Sequence, residues 1–216
     1  MDIEATIRLI TVSAIPVIFA ITLHEAAHGY VARMFGDNTA YVLGRVSLNP
    51  ARHIDPLGTI IFPTLTLLIG GMLFGWAKPV PVNQGELREP RKHMIWVALA
   101  GPAANFVMAF GWAILLRILA MTGQLDGFLW EVARAGVIIN LVLMVLNLLP
   151  IPPLDGGRVL MNIVPYDVER MLARIEPYGI WILLFLLLTD VVQPVLFAGI
   201  NFFYNLIIKI VFFGAL

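Results

Sequence analysis

An H-E-x-x-H pattern lies in the run Thr22-Leu23-His24-Glu25-Ala26-Ala27-His28-Gly29-Tyr30, inside an apolar stretch from Ala14 to Phe35. On a helix, histidines four residues apart lie on one face, about 6 Å apart along the axis, so both imidazoles can reach one metal ion. Glu25 projects beside them and can accept a proton from a water that the metal activates. Two satisfied histidines and a paired glutamate would also explain the pattern in a soluble helix. In a membrane-length segment ionisable residues are costly, which favours a functional site.

The composition is that of a membrane protein. Of the 216 residues, 60% are hydrophobic and 13% charged, and the mean hydropathy is +0.89, whereas a soluble domain is about half apolar and a quarter charged. We therefore expect an all-α polytopic membrane protein with one domain over residues 1–216, in contact with lipid and not with nucleic acid. Because the sequence contains no cysteine, a metal site must use histidine, carboxylate, asparagine or water ligands.

About five apolar segments are predicted to span the membrane. They are residues 7–35, 95–119, 129–149, 178–188 and 195–213, with a catalytic core over about 7–165 and C-terminal helices over about 166–216. A further apolar segment, residues 57–76, has the length of a span but is broken by Pro63 and several glycines. It could cross the membrane or enter and return as a re-entrant segment.

In residues 39–49, apolar and polar residues alternate weakly and strand-forming residues are frequent, which predicts a short strand or hairpin. An interfacial loop is an equal alternative. An exposed strand edge could accept an extended peptide. The candidate substrate-binding residues are therefore Tyr41, Val42, Leu43, Gly44, Arg45 and Val46. His53 and Asp55 follow closely; we interpret them mainly as turn residues, and keep His53 as a candidate to support a metal ligand.

The segment 129–149 carries Asn140 and Asn147 on one face and stops at a break rich in proline and glycine, residues 150–157. Irregular backbone at membrane depth is tolerated only where it is buried in protein or lines a watered cavity. Asp155 in this break is the candidate third metal ligand, and it could also cap the helix that begins near Gly157. Asn140 is a candidate to support a ligand, and Asn105, on a small-residue face with Gly101 and Ala109, is expected to hydrogen-bond between helices.

The metal hypothesis constrains the topology. For His24, His28 and Asp155 to meet, segments 7–35 and 129–149 must run in the same direction, so 57–76 should be re-entrant. That topology puts eleven basic residues in the cytoplasm and three outside, against nine and five if 57–76 crosses, and the positive-inside rule favours the first. The eleven are Arg33, Arg45, Arg52, Lys78, Arg88, Arg91, Lys92, Arg158, Arg170, Arg174 and Lys209, and the three are Arg8, Arg117 and Arg134. The site then lies in the membrane, toward the cytoplasmic side.

Three motifs resemble the site-2 protease family of intramembrane zinc metalloproteases. They are His24-Glu25-Ala26-Ala27-His28, Ala100-Gly101-Pro102-Ala103-Ala104-Asn105 and Asn147-Leu148-Leu149-Pro150-Ile151-Pro152-Pro153-Leu154-Asp155-Gly156-Gly157, in the family's order. Residues 49–58 and 74–81 resemble the compact microbial branch, without a PDZ or nucleotide-sensing domain. The resemblance implies one zinc ion held by His24, His28 and Asp155, Glu25 as general base, and Asn147 near the substrate or oxyanion. It also implies a multi-pass protein of a microbial cell membrane that cleaves a single-span membrane protein within or near its transmembrane segment.

A membrane metal-binding or transport protein is the alternative interpretation. It would use the same histidine and aspartate cluster, but it gives no special reason for Glu25 between the histidines. A scaffold without catalytic activity is a third option, against which the intact Glu25 argues.

Overall fold

A computed structural model describes residues 3–61, 75 and 77–213, and this part of the chain is helical without strands. The α-helices are α1 (Ile3–Met34), α2 (Thr39–Val42), α3 (Pro90–Met121), α4 (Phe128–Asn147), α5 (Asp155–Ile163), α6 (Tyr166–Ile175), α7 (Gly179–Leu188) and α8 (Gln193–Val211). Shorter helical turns lie at Pro50–Arg52, Pro56–Ile61, Gln84–Glu86 and Glu176–Tyr178.

Five helical stretches of the described chain are long and apolar enough to cross a membrane. They are Ile7–Met34, Pro90–Met121, Phe128–Asn147, Tyr166–Leu188 and Gln193–Val211. The predicted all-α polytopic membrane fold with about five spans is therefore confirmed. The fourth stretch begins earlier than the sequence predicts, because the amphipathic α6 continues into α7 through the single turn Glu176–Tyr178.

Helices α1, α3 and α4 pack against one another, and α8 packs against α3 and α4. Small side chains on α3, such as Ala109 and Ala113, are fully buried and allow this close approach. The rest of the core comprises Leu116, Leu119, Ala133, Val137, Leu141, Met144, Val145, Ile207 and Val211. Large apolar side chains such as Phe19, Trp181 and Phe202 remain exposed on the outside, as expected of surfaces that face lipid.

The two ends of the connection between α1 and α3 contact each other, at Phe35 and Arg88. The Arg88 N–H donates to the Phe35 carbonyl at 3.1 Å, and the Arg88 guanidinium donates to the Met34 carbonyl at 2.9 Å. Farther along the loop, the Lys78 N–H donates to the His53 carbonyl at 3.0 Å. Residues 62–74 and 76 lie outside the described residues, so the re-entrant path of 57–76 stays a prediction.

The predicted strand or hairpin over 39–49 is not formed. Thr39–Val42 is one helical turn, and residues 43–49 continue as turns and loop. The buried Asp37 carboxylate accepts the Thr39 N–H at 2.8 Å and starts this turn. Gly44, with φ of 65°, ends it while the Arg45 N–H donates to the Ala40 carbonyl at 2.8 Å. The local hydrogen bonds of the helical turn therefore outweigh the strand propensity of the side chains.

Candidate metal centre

Three side chains converge at the place where α1 meets the start of α5. The Nε2 atoms of His24 and His28 lie 3.0 Å apart. One Asp155 oxygen lies 3.2 Å from His24 Nε2 and the other lies 3.4 Å from His28 Nε2. All three residues are buried, each 8% exposed. In the part of the chain that the structure describes, these residues form the cluster able to hold a metal ion.

A tight turn after α4 delivers Asp155 to the histidines. A Cβ at Gly156 would lie 2.3 Å from the Leu148 carbonyl oxygen, and one at Gly157 would lie 2.4 Å from the Pro152 nitrogen. Glycine is therefore required at both positions for the backbone to fold back so closely. Leu154 is the N-cap residue of α5 and Asp155 is its first helical residue. Asp155 therefore does not occupy the N-cap position of α5, and its carboxylate lies beside the histidines.

Hydrogen bonds at Nδ1 leave both Nε2 atoms free to bind a metal. The His28 Nδ1 lies 2.7 Å from the Val97 carbonyl oxygen, which can only accept, so Nδ1 carries the proton. The His24 Nδ1 lies 2.5 Å from Asn105 Oδ1. The Asn105 amide donates to Asn140 Oδ1 at 3.0 Å, and the Asn140 amide donates to the Gly136 carbonyl at 2.8 Å. This series of hydrogen bonds ends at a carbonyl, which can only accept. It therefore fixes the orientation of both amides and the tautomer of His24.

The donor set fits a zinc ion. Two imidazole nitrogens and one carboxylate oxygen are ligands that zinc binds in catalytic sites, and the three donor atoms lie within 4.8 Å of one another. Two unprotonated Nε2 atoms that face each other repel unless a cation lies between them. A buried Asp155 oxygen also has no hydrogen-bond partner among the described residues, as expected of a metal ligand.

A cavity of about 440 Å³ opens beside the cluster. Its polar lining includes His24, Glu25, Asn147 and Arg158, and most of the remainder is apolar. One Glu25 oxygen, Oε2, accepts the Val80 N–H at 2.7 Å. The Asn147 amide donates to the Leu143 carbonyl of its own helix at 2.9 Å. The structure thus brings the predicted catalytic residues Glu25 and Asn147 to the wall of one cavity with His24.

The predicted substrate-binding residues, 41–46, make different contacts. The Arg33 guanidinium carbon lies 3.5 Å from the centre of the Tyr41 ring. Val42 and Leu43 are 79% and 57% exposed. Gly44 ends the helical turn, Arg45 donates to the Lys78 and Pro79 carbonyls, and Val46 packs over Gly29.

The two residues predicted to support a ligand have different surroundings. Asn140 is fully buried and reaches His24 through Asn105. His53 is also buried, but within the described residues its ring contacts the Ser47 carbonyl, at 2.8 Å from Nε2, and not a metal ligand.

Some of the groups that orient the site residues are backbone atoms, and the amino-acid sequence does not indicate which backbone atoms take part. The Val97 carbonyl orients His28 and the Val80 N–H holds Glu25. The sequence also does not indicate the structural role of Asp37. This residue is fully buried, and its second carboxylate oxygen accepts the Asn83 N–H at 2.7 Å. Asp37 follows the glycine that ends α1, which is ordinary turn chemistry and gives no sign of the long-range contact.

The fold and the site define a membrane metalloprotease, and comparison with known proteins agrees. The sequence profile of Peptidase family M50 matches residues 126–189. The "Putative zinc metalloprotease YwhC" of Bacillus subtilis is 38% identical over 207 residues, covering 91% of this chain and 89% of that protein. The chain therefore belongs to peptidase family M50, the site-2 proteases, and is a zinc metalloprotease. This finding confirms the predicted family, enzyme class and metal, and it disfavours the transport alternative.

More distant relatives carry the same kind of name. The "Putative zinc metalloprotease Rip2" of Mycolicibacterium smegmatis is 30% identical over 188 residues, covering 87% of this chain and 71% of that protein. The Rip2 protein of Mycobacterium tuberculosis is 35% identical over 141 residues, covering 63% of this chain and 51% of that protein. No solved structure matches the chain.

Proposed function

We propose that this metalloprotease performs regulated intramembrane proteolysis: it cleaves a single-span membrane protein of a microbial cell membrane within or near the transmembrane segment. The position of the metal ligands carries the proposal. His24 lies in α1 about 15 Å before its end at Met34, inside a helix that is long and apolar enough to span the membrane. The cavity beside it is mostly apolar, which suits an apolar substrate segment.

The roles of the residues follow from their contacts. His24, His28 and Asp155 hold the zinc ion, which when bound lowers the pKa of a water and polarises the scissile carbonyl. Glu25 accepts the proton of the attacking water and delivers it to the leaving nitrogen. One Asn147 amide proton is used within α4, and the second is available to the substrate carbonyl at the cavity wall.

The substrate must locally leave its helical conformation, because the carbonyls of a helix are paired within it. The cavity next to Glu25 gives space for an extended segment of a few residues. Tyr41, Val42 and Leu43 present exposed apolar side chains in the loop after α1. Contact between residues 41–46 and the substrate stays a prediction, and strand addition is not part of this proposal.

The substitution Glu25→Gln tests the proposal. The amide keeps the shape of the side chain but cannot accept the proton, so we expect zinc to be retained and cleavage to fall by about 10²-fold or more. Cleavage of a co-expressed single-span membrane protein is followed by immunoblot, and zinc per chain by elemental analysis. Glu86→Gln, the same change at an exposed residue, is the matched control.

Mapping of the wild-type fragments by mass spectrometry tests the substrate class in the same experiment. A cut within or beside the apolar segment is expected. Cleavage at the native rate by Glu25→Gln, or a cut confined to a soluble domain of the substrate, would contradict the proposal. Membrane proteins that accumulate uncut in cells with Glu25→Gln then identify the natural substrate.

A further inference from the structure

A segment without helix or strand, residues 77–83, passes beside Glu25 of α1. Ala77 and Pro79 of this segment line the cavity together with Glu25. Val80 lies between two prolines, so its N–H is the one amide proton of the tripeptide Pro79-Val80-Pro81. That proton is donated to Glu25 Oε2 at 2.7 Å.

The Val80 side chain is fixed on the same face of α1. Val80 is 5% exposed, and its Cγ1 lies 3.2 Å from the position that a Cβ of Gly29 would occupy. Gly29 follows Glu25 by one helical turn, so the backbone of Val80 meets Glu25 while its side chain meets the next turn. The segment is therefore held in register with the helix that carries the catalytic glutamate.

Groups from the loop after α1 hold the two ends of the segment. The Arg45 guanidinium donates from one nitrogen to the Lys78 carbonyl at 2.8 Å and to the Pro79 carbonyl at 3.3 Å. The Lys78 N–H donates to the His53 carbonyl. At the other end, the Asn83 N–H donates to the buried Asp37 carboxylate. Arg45 thus holds the two carbonyls that immediately precede the Val80 amide.

We propose that Arg45 and the Val80 amide are positioning groups for Glu25, and that Arg45 acts on the general base through the 77–83 segment. The inference rests on the proposed role of Glu25. The terminal torsion of a glutamate side chain is broad, so the carboxylate rotates unless a donor fixes it. A donor at Oε2 sets the direction of Oε1, and proton transfer depends steeply on that direction.

The first test compares Val80→Pro with Val80→Ala. Val80 precedes a proline, which disfavours a helical backbone at Val80. Proline at this position replaces the N–H by a ring carbon and so removes the donor. Alanine keeps the N–H and removes only side-chain packing. The probe is a fluorescein-labelled synthetic polypeptide with one apolar transmembrane segment, and the full chain is purified in detergent and loaded with zinc. We expect Val80→Pro to lower kcat by about 10-fold or more relative to Val80→Ala, with KM within about twofold and zinc content unchanged.

The second test changes Arg45 and leaves the 77–83 segment intact. Arg45→Gln removes the charged donor, whereas Arg45→Lys keeps a cation that can reach one carbonyl. We expect kcat to fall in Arg45→Gln and to recover in part in Arg45→Lys, again with KM nearly unchanged. A rise in KM with normal kcat would mean that Arg45 binds substrate directly, and would overturn the inference.

The two tests separate this inference from the proposed function. If Glu25→Gln is inactive on the transmembrane probe but Val80→Pro matches Val80→Ala, the inference fails and the role of Glu25 stands. If Glu25→Gln is fully active, the proposed function fails as well. Higher kcat in Val80→Pro or Arg45→Gln would show that the segment inhibits the site, and would overturn a positioning role. If Val80→Pro does not fold, the Arg45 pair decides the outcome.

Discussion

The tautomer of His24 is set by two asparagine side chains that end on a backbone carbonyl. The chain runs from His24 Nδ1 through Asn105 and Asn140 to the Gly136 carbonyl, entirely among buried groups. Buried polar groups need partners, so each member has little freedom to turn. The arrangement keeps the Nε2 lone pair of His24 directed at the metal, and the two amides contribute to zinc affinity without touching zinc.

The substitution Asn105→Leu tests this contribution. Without an acceptor at Nδ1, the His24 ring gains the tautomer that carries its proton on Nε2, which cannot bind metal. We expect zinc affinity to fall by about 10–100-fold, measured by competition with a colorimetric chelator. Asn201→Leu, the same change at an exposed position on α8, should leave the affinity unchanged. Equal affinity for the two variants would show that the asparagines do not set the tautomer.

Residue identity indicates the candidate side-chain ligands but not the backbone partners. The histidine spacing and the placement of Asp155 in a break at membrane depth predict a cluster of three residues, and the structure brings these three residues together. The carbonyl of Val97 and the N–H of Val80 could not be predicted, since every residue but proline carries both groups and only tertiary packing selects the ones in use.

At the scale of elements, the approach of α1 to α3 depends on one glycine. A Cβ at Gly101 would lie 2.4 Å from His28 Nε2 and 2.6 Å from His24 Nε2. Those atoms are the metal-binding nitrogens, so a methyl group there would occupy space that the site needs. The small-residue face of α3 therefore leaves space for the two histidine rings and also allows the helices to pack closely.

Gly101→Ala is predicted to damage zinc binding specifically. Overpacking of this kind costs about 1–3 kcal/mol, so zinc affinity should fall by about tenfold or more. Gly111→Ala on the same helix is the control, because among the described residues no atom beyond the adjoining helix backbone lies within 4 Å of the added Cβ. Zinc titration of both purified variants measures the difference, and unaltered zinc binding by Gly101→Ala would refute the steric argument.

Helices were easier to predict than the segment after α1. Apolar length alone indicates the spanning helices, because lipid leaves few alternatives to a helix. Residues 39–49 have strand-forming side chains, yet the buried Asp37 and the left-handed Gly44 hold a helical turn there. A pattern of single residues does not show which polar side chain will reach the backbone N–H groups of a loop.

At the scale of the whole molecule, the metal site requires α1 and α4 to run in the same direction. The C-terminal part of α1 and the end of α4 both lead into the cluster, with α3 packed against both. The contact of Arg88 with Phe35 agrees, because it returns the chain to the end of α1 before α3 begins. The end of α1 and the start of α3 therefore lie at the same place, and the re-entrant path of residues 57–76 stays a prediction.

Cysteine labelling tests the orientation. The sequence contains no cysteine, so Glu86→Cys and Gln124→Cys each introduce one exposed thiol, at opposite ends of α3. Because positive residues favour the cytoplasmic side, a membrane-impermeant maleimide added to intact cells should label position 124 and not position 86. In inside-out vesicles the pattern should reverse. Labelling of both positions from one side would contradict a crossing by α3.

The hydrogen bond between Lys78 and His53 joins the two ends of the interval 54–77. Contacts outside the interval hold both ends, because Arg45 donates to the Lys78 carbonyl and the His53 ring contacts the Ser47 carbonyl. Chimaeras that graft residues 54–74 from one relative to another should therefore keep the parent's zinc centre intact. Gly75 and Ala77 stay those of the parent, because they line the cavity beside Glu25.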